Sequence, residues 1–171
     1  MRNADRLRVR FLICRIHILV GVTAVAMLMT GSGVLAETQQ EQVHRMSHHV
    51  MPFDMAKTVH VFKMTESGGV ERVLVRDPQD REQLALIRQH LRHEADKFQH
   101  GDYSDPAHLH GNDMSGLAEI QANTVHIKIT YRDLSGGGQI TFETKDLHTL
   151  TAIHRWFGAQ LSEHGHDARA E

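Results

Sequence analysis

An α+β fold is predicted for residues 51–168: an antiparallel sheet with two main helices packed on one face, in the order ββα-loop-ββα. Three observations predict it. Short β-rich stretches joined by glycine turns occur twice, an amphipathic helical stretch follows each pair, and the two halves repeat at a constant offset of 66 residues.

Met51-Pro52-Phe53-Asp54 marks the entry to the fold, and Thr58 to Met64 alternates as a β-rich strand. Glu66-Ser67-Gly68-Gly69 is a turn, and Val70 to Arg76 completes the first hairpin. Asp77 reads as an N-cap with Pro78 in the first turn, and Leu84, Ile87, Leu91, Ala95 and Phe98 form one face of a helix sustained to Gly101. Residues 101–116 form a long polar loop with one turn of helix after Asp105-Pro106, and a short helix covers Leu117 to Ala122. Thr124 to Tyr131 is a strand with Val125, Ile127, Ile129 and Tyr131 on one face. Ser135 to Gly138 is a turn, and Ile140 to Thr144 is the returning strand. Asp146 caps a last helix with a core face of Leu147, Leu150, Ile153, Phe157 and Leu161, ending near Gly165. The offset lays Thr58-Val59-His60 on Thr124-Val125-His126, and Leu84, Ile87, Leu91 and Ala95 on Leu150, Ile153, Phe157 and Leu161. The pattern reads as an internal duplication.

Residues 1–36 have the layout of a cleavable signal peptide. Arg2, Arg6, Arg8 and Arg10 make a basic start, an apolar run is cleanest from Ile18 to Met29, and Val34-Leu35-Ala36 supplies a cleavage site after Ala36. Arg15 and His17 interrupt the apolar run and Gly31-Ser32-Gly33 ends it, which argues against an uncleaved spanning anchor. Periplasmic or secreted localisation is therefore expected, with no stable membrane association after cleavage. The single cysteine, Cys14, leaves with the signal, so disulfides, thiol nucleophiles and thiolate metal sites are excluded from the remainder.

Cleavage also removes five arginines and one aspartate, which takes the formal charge from −2 to −6. A mildly acidic domain has no electrostatic reason to bind nucleic acid or an anionic membrane. Of 15 histidines only His17 lies in the signal, and this excess of imidazole is the anomaly to explain. Residues 37–50 read as a flexible leader carrying His44, His48 and His49 beside Met46, with Met51 just beyond. Imidazole with thioether suits copper, although a solvated tail is the plainer reading. On the first main helix, Glu94 lies about 50° and His90 about 90° from the centre of the apolar face. They stack one turn apart along its edge, and a carboxylate so placed needs a partner. His154 flanks the apolar stripe of the last helix and His164 continues it. The loop adds His108, His110, Asp113 and Met114, with Gly111 permitting a tight bend. His60 and His126 fall on strand faces opposite the β-branched residues and read as surface groups.

The motifs Met51-Pro52-Phe53-Asp54, Thr58 with His60, His90 with Glu94, Gly101-Asp102-Tyr103-Ser104-Asp105-Pro106, His110-Gly111-x-Asp113-Met114 and Ala152-Ile153-His154-Arg155-Trp156-Phe157 with His164-Gly165 resemble a family of small exported bacterial proteins. Members of that family often carry the name aspartate carbamoyltransferase. The residues do not support that activity, because neither a Ser-x-Arg-Thr-Arg carbamoyl-phosphate loop nor a His-Pro-x-Gln segment occurs. The resemblance implies the export and the fold, and adds nothing about chemistry.

There is no Gly-x-Ser-x-Gly elbow, phosphate-binding glycine loop or His-Glu-x-x-His motif, so an enzyme is not the leading expectation. The leading one is a periplasmic metal-binding protein for copper, or zinc, in carriage, buffering or resistance. Its expected ligands are His90, Glu94, His110, Asp113, Met114, His154 and His164, converging where the 101–116 loop crosses the helix layer. The alternatives are a small metal-dependent enzyme with Glu94 as general base, and a metal-free binding or interaction domain with pH-responsive histidines. Haem is weaker still, since no Cys-x-x-Cys-His occurs.

Overall fold

A computed structural model describes residues 37–171; the expected signal peptide, residues 1–36, lies outside them. The chain forms α1 (Gln39–Val50), β1 (Thr58–Thr65), β2 (Gly68–Val75), α2 (Arg81–Gln99), α3 (Ser104–His110), α4 (Leu117–Ala122), β3 (Lys128–Leu134), β4 (Gly137–Glu143), α5 (Leu147–His164) and β5 (Ala168–Ala170). The fold is α+β, with the ββα-loop-ββα order as its body. The sheet order is β3-β4-β2-β1-β5, antiparallel except that β5 runs parallel to β1. The sheet is thus mixed, not wholly antiparallel: three terminal residues add an edge strand too short for a sequence period to reveal.

The two long helices exchange partners. α2 follows the β1–β2 hairpin but packs mainly on β4 and β3, whereas α5 follows β3–β4 and packs on β2 and β1. Both have an aspartate N-cap: Asp80 accepts from the Gln83 N–H at 3.1 Å, and Asp146 accepts from the Thr149 N–H at 2.7 Å. The offset of 66 therefore holds for the helices, caps included. It fails for the strands: Thr124–His126 is a 3₁₀ turn and β3 begins only at Lys128. Val125 is 88% exposed as a result, away from the core face expected for it, and Leu147 is likewise exposed in the first turn of α5. Asp77 is not the N-cap of α2. It accepts from the Gln79 N–H at 2.9 Å in a preceding turn, which leaves the cap to Asp80.

Residues 37–50 are not a loose leader. Thr38 and Glu41 form a capping box, with the Thr38 N–H donating to Glu41 at 2.8 Å, and α1 buries Val43 against α3 and α5. The 101–116 segment is likewise more structured than a polar loop. Tyr103 stacks on Phe98 at 4.7 Å, and α3 buries Pro106, Leu109 and His110.

The helix-covered face of the sheet carries His60, Phe62, Val73, Ile140, Phe142 and Ile129, and all are buried. The opposite face is polar, with Arg72 and Arg132 both donating to Gln139, at 2.9 and 3.0 Å. The parity of β1 was predicted correctly, but the covered face is the one bearing His60 and Phe62, not the valine face. Its centre is aromatic: Phe157 meets Phe62 at 5.2 Å and Phe142 at 5.8 Å, and Trp156 meets Phe142 at 5.5 Å. Gly69 admits the Phe157 ring. A Cβ there would lie 2.4 Å from Phe157 Cε2, so Gly69→Ala is expected to cost about 1–3 kcal/mol through overpacking. Urea unfolding checks this: a lower midpoint at unchanged slope is expected, and an unmoved midpoint would mean that the ring does not sit there.

Candidate functional site

The helix exchange leaves a gap at the His60 end of the sheet, under α1 and α3. A cavity of about 50 Å³ lies there, lined by His60, His90, Glu94, His110, Gln160 and His164, with Glu71, Asp105, Trp156 and Met51 completing the wall. A water needs roughly 10–15 Å³ by this measure, so the space suits a few waters or one ion and not an organic substrate of ordinary size. Each chain element of the helix layer except α4 contributes a residue. β1 supplies His60, α2 His90 and Glu94, α3 His110, and α5 Trp156, Gln160 and His164, while Met51 follows α1 directly.

Its polar atoms are poorly served by the protein. His60 Nδ1, His164 Nδ1, Glu94 Oε1, Gln160 Oε1 and Trp156 Nε1 are all buried without a protein hydrogen-bond partner. Native proteins rarely leave such atoms unpaired, and this group faces one space. His60 and His164 stack at 4.7 Å between ring centroids, and His110 meets His164 edge-on at 5.0 Å. His110 is oriented from behind: its Nδ1 lies 2.8 Å from Glu163 Oε2. A carboxylate only accepts, so Nδ1 carries a proton and donates it to Glu163. Gln39 of α1 donates to the His110 carbonyl at 3.1 Å and to the same Glu163 carboxylate at 3.3 Å, which ties α1 to this arrangement.

Burial sets the charge state. It pushes His60 down to about 3, with His90 and His110 adding repulsion, and pushes His90 down to about 4. His164 is held well below the usual imidazole range by burial and by the other two rings. Burial raises Glu94 to about 9, helped by a hydrogen bond to Asp105. Burial alone would raise Asp105, but hydrogen bonds with Glu94 and Lys97 outweigh it and keep Asp105 below its ordinary value. The Lys97 ammonium lies 2.7 Å away. Glu71, on the sheet beneath, is raised to about 7 by burial. At neutral pH His60, His90 and His164 are therefore uncharged, each with a ring lone pair, and Glu94 is protonated.

Of the seven expected ligands, His90, Glu94, His110 and His164 come together here and three do not. Asp113 is exposed in the turn after α3, because Gly111 turns the chain out of the helix. Met114 is buried in the hydrophobic core. His154 sits about three turns before His164 in the middle of α5, where its Nε2 donates to the carbonyls of Thr65 and Gly68 at 3.0 and 2.9 Å and pins the β1–β2 turn. His60, Glu71, Asp105 and Gln160 are site residues outside the expected ligand set, and Met51 lies here and not with the histidines of residues 37–50. Among the described residues, no three histidine, cysteine, aspartate or glutamate side chains surround a common point at ligand distance. Comparison with protein-family models, curated proteins and solved structures returns no match.

The raised carboxyl makes a pH prediction. Between about pH 4.5 and 9 the native state holds a proton on Glu94 that the unfolded chain has released, so this group's contribution falls as pH rises. Glu94→Gln keeps a donor toward Asp105 and carries no charge. Its stability relative to the parent is expected to climb with pH in that window, by up to about 1.4 kcal/mol per unit. The depressed imidazoles act oppositely, and their contribution is lost as pH falls from 6.5 toward 4. Urea unfolding of both proteins without added metal, from pH 4 to 9, checks the sign. A difference that is flat in pH would show Glu94 to be ionised in the fold.

Proposed function

We propose that this protein is an exported, periplasmic metal-binding protein. Its cavity takes copper in preference to zinc, for carriage, buffering or resistance. The observation that carries this reading is the convergence of His60, His90, His110 and His164 on one cavity whose polar atoms lack protein partners. The donor set fits such an ion. Metal binding requires neutral imidazole, and burial already keeps three of the four rings neutral. The Glu163 contact behind His110 is the carboxylate–imidazole support found behind metal-bound histidine. Met51 brings a thioether to the wall, which favours copper, above all its reduced form, over zinc. Loading would require His60 and His164 to turn out of their stacked arrangement toward a shared ion. The alternative role of Glu94 as general base is disfavoured in the metal-free cavity, since a carboxyl held protonated to about pH 9 has no basic form at neutrality.

Two measurements test the reading. Purified protein dialysed against Cu(II), Cu(I) and Zn(II) is expected to retain a single equivalent of metal, with copper displacing zinc. His60→Ala combined with His164→Ala should abolish retention, and His154→Ala should not. No metal above background, or retention that depends on His154 and not on the His60–His164 pair, would sink it. Export is tested separately: protein from the periplasmic fraction of expressing cells is expected to begin at Glu37, and an intact N-terminus would count against cleavage.

A further inference from the structure

On the solvent side of the cavity wall lies a second recess of about 510 Å³ between α1 and the segment after α5, with His44, His164, His166 and Asp167 among its lining residues. His164 is the one residue common to its lining and that of the buried cavity. At its floor, Asp167 is only 4% exposed. His44 Nδ1 reaches Asp167 Oδ2 at 3.4 Å, and His166 Nε2 reaches Oδ1 at 3.4 Å from the other side. Among the described residues, the permanent cation nearest this carboxylate is Arg76, at 3.8 Å. Arg45, also at the rim, is engaged by Glu37 at 2.8 Å. A buried carboxylate flanked by two exposed imidazoles, one ring away from the cavity, has the chemistry of a cation relay.

We propose that this recess is the loading port of the cavity: His44, Asp167 and His166 take a divalent transition-metal cation from solvent, and His164 passes it inward. The proposal rests on the reading of the cavity as a metal site. Carboxylate with imidazole suits Cu(II) and Zn(II) alike, so selection between metals belongs to the inner cavity with its thioether. The port binds weakly and transiently, because its groups do not surround one point as a ready three-ligand site. Asp167, with the Arg76 guanidinium beside it, supplies the carboxylate donor, and the exposed imidazoles of His44 and His166 are exchangeable donors. The rival account is purely mechanical, with His44 and His166 merely pinning α1 to the C-terminal segment.

Trp156 is the only tryptophan of the chain and lines the cavity, so its fluorescence reports arrival of Cu(II) at the inner site. In stopped-flow mixing of the purified protein with Cu(II), His44→Ala combined with His166→Ala is expected to slow quenching by at least about tenfold, the lower end of what charged clefts contribute to on-rates. The final amplitude and the metal stoichiometry should stay unchanged. Asp167→Asn, nearly isosteric, should slow quenching similarly. His48→Ala, on α1 but not lining the recess, should leave the rate as it is. Unchanged rates in the double variant and in Asp167→Asn would overturn the port while leaving the cavity reading intact. Loss of final amplitude in those variants would also overturn it, by making these residues ligands of the site and not its entrance. Absence of quenching and of bound Cu(II) in the parent protein would remove the cavity reading, and the port with it.

Discussion

The rings of His60 and His164 lie face to face where neither Nδ1 finds a protein partner, in a cavity also lined by the Glu94 carboxyl and the Gln160 amide in the same condition. Burying a polar group without a hydrogen bond costs roughly 1–3 kcal/mol by mutational measures, so a cluster of such groups is a standing strain on so small a domain. The rest of the molecule is arranged around tolerating it. The aromatic packing of Phe62, Phe142, Trp156 and Phe157 adjoins the cavity directly and supplies dense apolar contact beside it. α1 and α3 close the other side, joined by the Gln39 contacts to His110 and Glu163.

The exchanged helices explain why the site lies at this place. Since α2 covers the second hairpin and α5 the first, neither ββα half encloses a core alone, and the central β2–β4 pairing forms only when both are present. His90 and Glu94 come from the first half, His164 and Gln160 from the second, and His110 from the connection between them. The cavity is thus the seam of the whole assembly. Its residues meet only in the complete domain, so the geometry of the site is tied to global folding more than to any local motif.

This also sets what could be read from the sequence. Helical periodicity located His90 and Glu94 at the edge of the core, because angular position on a helix is local information. His164 followed from the same rule. The pairing of strand faces is not local: alternation gave β1 its parity, but nothing within Thr58–Met64 tells which side the helices cover, and His60 was assigned to the wrong one. His154 satisfied the same helical criterion as His164 and was assigned to the same site. The two lie about three turns apart along α5, and what separates them is the part of the first hairpin each meets: His154 the β1–β2 turn, His164 the His60 end of β1. Asp113 and Met114 were grouped with His110 by proximity in sequence, which Gly111 undoes. The N-terminus does carry a local signal: Thr38-x-x-Glu41 is a capping box, and it marks the start of α1 inside what reads as a polar leader.

The charge state of the cavity joins these points into a single argument. The imidazoles of His60, His90 and His164 and two raised carboxyls inside a small fold would be untenable if ionised, and burial drives them toward their neutral forms. That neutrality lets the metal-free domain persist with its polar atoms unpaired. On the proposed metal reading, neutral imidazole is the ligand form, whereas Glu94 would have to lose a proton before its carboxylate could balance a cation. The one firmly ionised carboxylate of the wall, Asp105, is already matched by Lys97 and contributes little free charge. An arriving cation would therefore meet a space whose compensating negative charge appears only as protons leave. Metal affinity in such a cavity would rise with pH across the neutral range, with Glu94 and Glu71 as the groups that set the slope.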